Sequence, residues 1–177
     1  AWLLTGDKKE GGVIYGTAVV EKKDIATSVT ATGTLEPVTS VTVGTQVSGI
    51  VDKLYVDYNS IVKKGQVIAE LDKTNLLSEL ASTKAQLASA QSTLAYEKSN
   101  YERYKTLFNK GLVSATDYES ARLSYEKAVQ SVRTANETVK KAETNLGYAT
   151  ITSPIDGVVL SKAVEEGQTV AASFNTP

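Results

Sequence analysis

The chain has 177 residues, 41% of them hydrophobic and 22% charged, the balance of a folded domain and not of a collagen, low-complexity or disordered segment. Nineteen Lys and Arg against twenty Asp and Glu leave a formal net charge of -1, so a phosphate backbone meets no excess of counter-charge and nucleic acid is not an expected partner. The absence of His and Cys removes zinc fingers, thiolate nucleophiles, Ser-His-Asp triads, histidine acid–base pairs and disulfides at once.

Taken in chain order, Ala1–Leu4 is an apolar start far shorter than the roughly 20 residues a bilayer span needs. It resembles the last turn of an N-terminal anchor, and a cloning remnant is equally compatible. Residues 5–12 (TGDKKEGG) are a polar, Gly-rich linker. Residues 13–20 and 24–35 predict strands. Residues 46–72, rich in Val and Ile and broken at Gly49 and Gly65, predict short strands joined by polar turns.

Between Gly65 and Gly147 only Gly111 interrupts, and no Pro occurs. Helix interiors exclude Gly and Pro at a cost of roughly 1 and 3 kcal/mol, so two helices joined by a turn at Gly111 are predicted. Apolar positions recur at Leu80, Thr83, Leu87, Ala90, Leu94, Glu97, Tyr101, Tyr104 and Phe108, with Glu97 the one charged intruder. The second helix repeats the spacing without a miss at Tyr118, Ala121, Tyr125, Ala128, Val132, Ala135, Val139, Ala142 and Leu146. Two apolar positions in seven make a coiled-coil seam, whereas a helix on a globular core shows a broader face. Asp72 is placed to cap the first helix; Ser114, Thr116 and Asp117 offer caps for the second, and Asn145 and Gly147 supply its stop. The tip is Lys110–Ser114, where Gly111 suits the left-handed position that closes a helix. A first helix of about 36 residues is a rod of about 54 Å, against a radius of gyration of about 16 Å for a compact chain of this length. The hairpin is therefore expected to project.

Residues 147–177, broken at Pro154, Gly157 and Gly167, return to strand-like composition. They also repeat the earlier segment: with Gly49 set on Gly157, an offset of 108 residues, Val51 meets Val159, Val56 meets Val164, Asn59 meets Gly167 and Val62 meets Val170. Neither half can bury an apolar face alone. The economical architecture is one β-sandwich of two similar halves with a helical hairpin inserted between them, an α+β fold.

The half-motifs GIVDKLYVDYNSIVKKGQVIAELD (49–72) and SPIDGVVLSKAVEEGQTV (153–170) resemble a lipoyl/biotinyl domain split by a coiled-coil hairpin, the arrangement of the membrane fusion proteins, or periplasmic adaptors, of the HlyD-type family. VTATGTLEPVTSVTVGTQVSGIV (29–51) and NLGYATITSPIDGVV (145–159) are similar to its MacA-like branch. The resemblance implies an adaptor with no catalytic site, metal or cofactor. It would be a periplasmic protein anchored to the inner membrane at its N-terminus, self-associating as a hexameric ring between an inner-membrane transporter, ABC type ahead of RND type, and a TolC-type outer-membrane channel. It divides the chain into an anchor remnant and linker (1–12), strands of a membrane-proximal domain and a β-barrel (13–45), a first lipoyl half (46–72), the hairpin (73–146) and a second lipoyl half (147–177). Channel docking falls to the tip, Arg103, Leu107, Gly111 and Ser114, and the lumen loop to Phe174 and Asn175, where the branch carries a glutamine. Gly49, Gly65, Pro154, Gly157 and Gly167 are the lipoyl-type turn residues.

Other readings remain open on the residues themselves. Leu107 could pack inside the hairpin, Ser114 could simply cap the second helix, and Arg103 could be a solvated side chain. Phe174 could pack the sandwich edge. Lys73, which follows Asp72 where carrier domains attach lipoate or biotin, suggests a carrier instead. A coiled-coil scaffold and a type I secretion adaptor are further alternatives.

Overall fold

The computed structural model describes residues 28–34 and 39–172. The chain divides into two units, residues 1–38 and 39–177. In the first, the described residues 28–34 are exposed and have no regular structure, so that part of the strand predicted over 24–35 is not formed. Extended backbone with no partner strand among the described residues has no ladder to stabilise it. The predicted strand 13–20, the anchor remnant, Phe174 and Asn175 lie outside the described residues.

The second unit is α+β. Its elements run β1 (Gly49–Leu54), β2 (Ile61–Val62), β3 (Val67–Leu71), α1 (Thr74–Asn109), α2 (Ala115–Tyr148), β4 (Thr150–Thr152), β5 (Gly157–Val158) and β6 (Thr169–Val170). One sheet has the order β4-β3-β1-β6 and the other pairs β2 with β5, all antiparallel.

The 108-residue repeat proves to be a two-fold exchange. Gly49 pairs with Val170 and Ile50 with Thr169; the offset turns these into Gly157 with Val62 and Val158 with Ile61, the pairs seen between β5 and β2. Backbone bonds obey the same rule. The Asn59 N–H donates to the Val159 carbonyl at 2.8 Å and the Gly167 N–H to Val51 at 2.8 Å, while Val159 donates to Ser60 at 3.0 Å and Val51 to Gln168 at 2.9 Å. Side chains follow: the Thr45 and Ser153 hydroxyls, both buried, each donate at 2.6 Å to the carbonyl two residues on. Asp57–Ser60 and Glu165–Gln168 are matching turns, each closed by a bond from the fourth N–H to the first carbonyl and by the fourth side chain accepting from the first N–H. The third residue of each has positive φ, +64 at Asn59 and +82 at Gly167, as a type II turn requires. Asn tolerates that region and Gly occupies it freely, which is why the repeat exchanges these two residue types.

Apart from β1 with β3, strand partners come from opposite halves, so the sequence between the halves must leave and return at one place. It does so at the core: the Leu71 N–H donates to the Ala149 carbonyl at 2.8 Å. Leu71 and Ala149 are buried with Val51 and Val170, and Leu76, Ile151, Val164 and Val47 pack around them. Gly49 and Gly157, expected in turns, instead begin β1 and β5, while Gly65 (φ +82) and Gly167 are turn residues and Pro154 lies in the bend before β5.

The hairpin boundaries follow the caps closely. Asp72 accepts from the Thr74 N–H at 2.9 Å and from its hydroxyl at 2.7 Å, and α1 starts at Thr74. The α2 seam holds as predicted: Ala121, Ala128, Val139 and Ala142 are buried and the other five positions half-buried. The stop at Asn145 and Gly147 is not where the helix ends. Gly147 lies inside α2, without positive φ, and the helix runs on to Tyr148 because Ala149 must enter the core for β4 to pair with β3.

Truncating Leu71 to Ala in this core is expected to cost about 2–5 kcal/mol and to lower Tm in a thermal melt. Acid should also destabilise the fold. Hydrogen bonds from Thr74 hold the Asp72 carboxyl below the usual range, and the Tyr58 N–H followed by Lys162 does the same for Asp57. Carboxylates with lowered folded pKa contribute fully above about pH 4 and lose that contribution as pH falls through the lowered values. Tm should drop on acidification below about pH 4, and the Asp57→Asn/Asp72→Asn double variant should show a flatter acid limb.

Candidate functional site

The far end of the hairpin collects the predicted docking residues. Helix α1 closes by a Schellman arrangement: the Leu112 N–H donates to the Leu107 carbonyl and the Gly111 N–H to Phe108, both at 2.9 Å, with Gly111 at φ +72 as predicted. Two residues later Ser114 is the N-cap of α2, its hydroxyl accepting from the Asp117 N–H at 3.1 Å and donating to the Asp117 carboxylate at 2.7 Å. Asp117 in the first turn also complements the positive end of the helix dipole. The five-residue link Lys110–Ser114, capped at both ends, makes a stiff turn.

Arg103 is exposed and makes no ion pair among the described residues. Leu107, one turn further along α1, shares its face but is half-buried. Phe108, expected in the seam, is 40% exposed, and Leu112 is 68% exposed at the turn itself. The tip thus presents a guanidinium, a partly covered leucine, a capping hydroxyl and one fully presented apolar side chain that the sequence reading had not singled out.

Behind the tip lies a second feature missed from sequence. Phe108 stacks on Tyr118 (4.8 Å between centroids, 8° between planes), Tyr118 on Tyr101 (5.9 Å, 27°) and Tyr101 on Tyr125 (5.2 Å, 3°). The ladder alternates between helices, and the Tyr101 and Tyr118 hydroxyls meet at 3.3 Å. That bond raises the Tyr118 phenol above its ordinary pKa. The signal was present in the seam, where five tip-proximal positions, Tyr101, Tyr104, Phe108, Tyr118 and Tyr125, are aromatic, but a period shows only that they share a face. Stacking depends on ring orientation.

Lys73 does not sit on an exposed β-turn as a carrier lysine does. It stands at the entry to α1 with its ammonium 3.6 Å from Glu70, whose other oxygen accepts from the Tyr55 hydroxyl at 3.2 Å. Among the described residues no cluster of His, Cys, Asp and Glu could hold a metal, and no helix is long and apolar enough to cross a membrane.

The described fold is a small split β-structure carrying a long helical hairpin, and comparison with known proteins gives it a family. Residues 39–177 match the family model described as RND MFP, barrel-sandwich hybrid domain. The macrolide export protein MacA of Yersinia pestis is 33% identical over 93% of this chain and 48% of its own length. The multidrug resistance protein MdtA of Proteus mirabilis is 31% identical over 90% of this chain and 39% of its own. The crystal structure of MacA from Actinobacillus actinomycetemcomitans is 40% identical with a TM-score of 0.55, over 80% of this chain and 48% of that one. The chain belongs to the membrane fusion protein, or periplasmic adaptor, family, and it spans less than half the length of these relatives.

Removing the cap in Ser114→Ala is expected to cost about 1 kcal/mol, seen as a lower Tm with helix content by circular dichroism unchanged at 25 °C. Arg103→Asp, an exposed change, should leave Tm within about 0.5 kcal/mol of equivalent stability.

Proposed function

We propose that the protein is the periplasmic adaptor of a tripartite efflux pump, joining an inner-membrane transporter to a TolC-type outer-membrane channel. The observation that carries this reading is the placement of Arg103, Leu107 and Ser114 together at the capped end of a 36-residue helix and its partner, about 54 Å from the sandwich that both helices grow from. A guanidinium fork can grip carboxylates or carbonyls on the channel, Leu107 can add apolar contact, and the turn at Gly111 brings both chain directions to one point. Work would come from the transporter; the adaptor supplies reach, sealing and transmission of movement, and needs no catalytic residue or cofactor.

An ABC transporter is the favoured partner because of the likeness to MacA, and the likeness to MdtA keeps an RND transporter as the second reading. The family supports a periplasmic location, an inner-membrane anchor at the N-terminus, a lipoyl-type character for the sandwich and a hexameric ring, with Phe174 and Asn175 facing its lumen. The site of Lys73 gives no support to a lipoyl or biotin carrier, since attachment needs an exposed turn.

The test is channel binding by the full-length protein. Arg103→Asp with Leu107→Ser is expected to weaken binding to the purified channel by at least tenfold and to abolish drug resistance in cells, with the hairpin still helical. Unchanged binding would overturn the docking assignment.

A further inference from the structure

Four apolar side chains fall around the turn of the hairpin, Leu107, Phe108, Leu112 and Val113, and three of them are already engaged. Leu107 and Val113 are half-buried, and Phe108 lies flat on the ring of Tyr118. Leu112 is the exception, at 68% exposed. In a Schellman turn the residue at its position ordinarily packs its side chain on the residue five before it, here Leu107. The backbone bond between the two is present at 2.9 Å, yet most of Leu112 stays uncovered. Leu77, Tyr96 and Leu123 are also exposed, but they stand singly on the regular helices, as surface apolar residues commonly do.

The backbone beneath Leu112 is fixed from both sides. Gly111 at φ +72 and the bond to Leu107 hold it to the end of α1, and two residues later Ser114 begins α2. The Ser114 hydroxyl accepts from the Asp117 N–H at 3.1 Å and gives its single proton to the Asp117 carboxylate at 2.7 Å, so its one donor is spent inside the turn. A side chain ordered in advance on a stiff link gives up little freedom when it is buried by a partner. Position adds to this. The link is the end of the rod, whereas Arg103 lies seven residues before Lys110, roughly 10 Å back along α1. A partner met end-on therefore reaches Leu112 before the guanidinium.

We propose that Leu112 is the principal apolar contact of tip docking, inserted into an apolar socket of the outer-membrane channel, and that Ser114 is a positioning residue that holds the link in the shape presenting it. This assignment rests on the docking reading given above and divides the work within it. Arg103 grips polar groups on the rim of the socket, half-buried Leu107 supports the turn with part of its surface, and Leu112 enters. Ser114 then matters through Asp117 and the start of α2, not through a bond to the channel.

The test is binding of the full-length protein to the purified channel, with Tm and circular dichroism measured on every variant. Leu112→Ser is expected to raise Kd about tenfold or more with Tm unchanged, because the side chain it removes is exposed. Leu112→Met, which keeps volume and apolarity, should stay within about threefold of the parent. Ser114→Ala should weaken binding and lower Tm, and Ser114→Asn, which restores a cap without a hydroxyl, should recover both. Loss of binding in Ser114→Asn with Tm retained would show the hydroxyl touching the channel and overturn its positioning role. Parent-like binding by Leu112→Ser, beside weakened Arg103→Asp/Leu107→Ser, would overturn the Leu112 assignment and leave docking at the tip standing. The reverse pattern would overturn the assignment of Arg103 and Leu107 and support that of Leu112.

Discussion

Every strand pairing between the two halves depends on one constraint: the chain must leave the sandwich and re-enter it at the same point. β1–β3 is a pairing within one half, but β1 also needs β6, β2 needs β5 and β3 needs β4, so neither 49–71 nor 150–170 can satisfy its backbone alone. The Leu71–Ala149 hydrogen bond, buried among Val51 and Val170, is where the condition is met. An antiparallel helical hairpin meets it at any length, because its two ends stay together however far the tip extends. Ala149, with no exposed surface, leaves no room for a larger residue at that junction.

This decoupling of base from tip explains how the hairpin is built. Along most of its length it is economical in large apolar groups: α1 fully buries only Thr83, and α2 buries three alanines and Val139. Small residues let the helices approach closely but contribute little transfer energy per residue, roughly 0.8 kcal/mol per buried methylene. The concentration of apolar and aromatic contact lies instead at the two ends, in the core around Leu71 and in the Phe108–Tyr118–Tyr101–Tyr125 ladder. A rod held firmly at both ends carries displacement from one to the other with little loss in its register.

Much of this was legible in the sequence because its signals are local. The 108-residue repeat was visible through Gly167 aligning with Asn59, two residue types that share tolerance for positive φ, and through valines that alternate inward. The α2 seam, the Ser114 cap and the Gly111 turn follow from period and capping chemistry alone. What was not legible depends on partners. Gly147 looks like a stop until Ala149 is seen to be required in the core, and a glycine without positive φ is merely a weak helix former. Phe108 is 40% exposed although it takes a seam position and stacks on Tyr118, because the last turn of α1 is set by the Schellman bonds as well as by the heptad. The strand expected over 24–35 had the right composition but, over 28–34, no ladder to join.

The stability of the molecule is therefore unevenly distributed, and function follows that distribution. Opening free energies rise with buried apolar contact and backbone protection, so the sandwich and the tip ladder should be the last regions to open and the Ala- and Ser-rich middle of α1 the first. For an adaptor this order is useful. Under the proposed docking, the tip would keep Arg103 and Ser114 in fixed relation while it meets a partner. Between the tip and the sandwich the hairpin has only to hold its seam, and the one charged side chain in that seam, half-buried Glu97, lies where the apolar stripe gives way to the aromatic ladder.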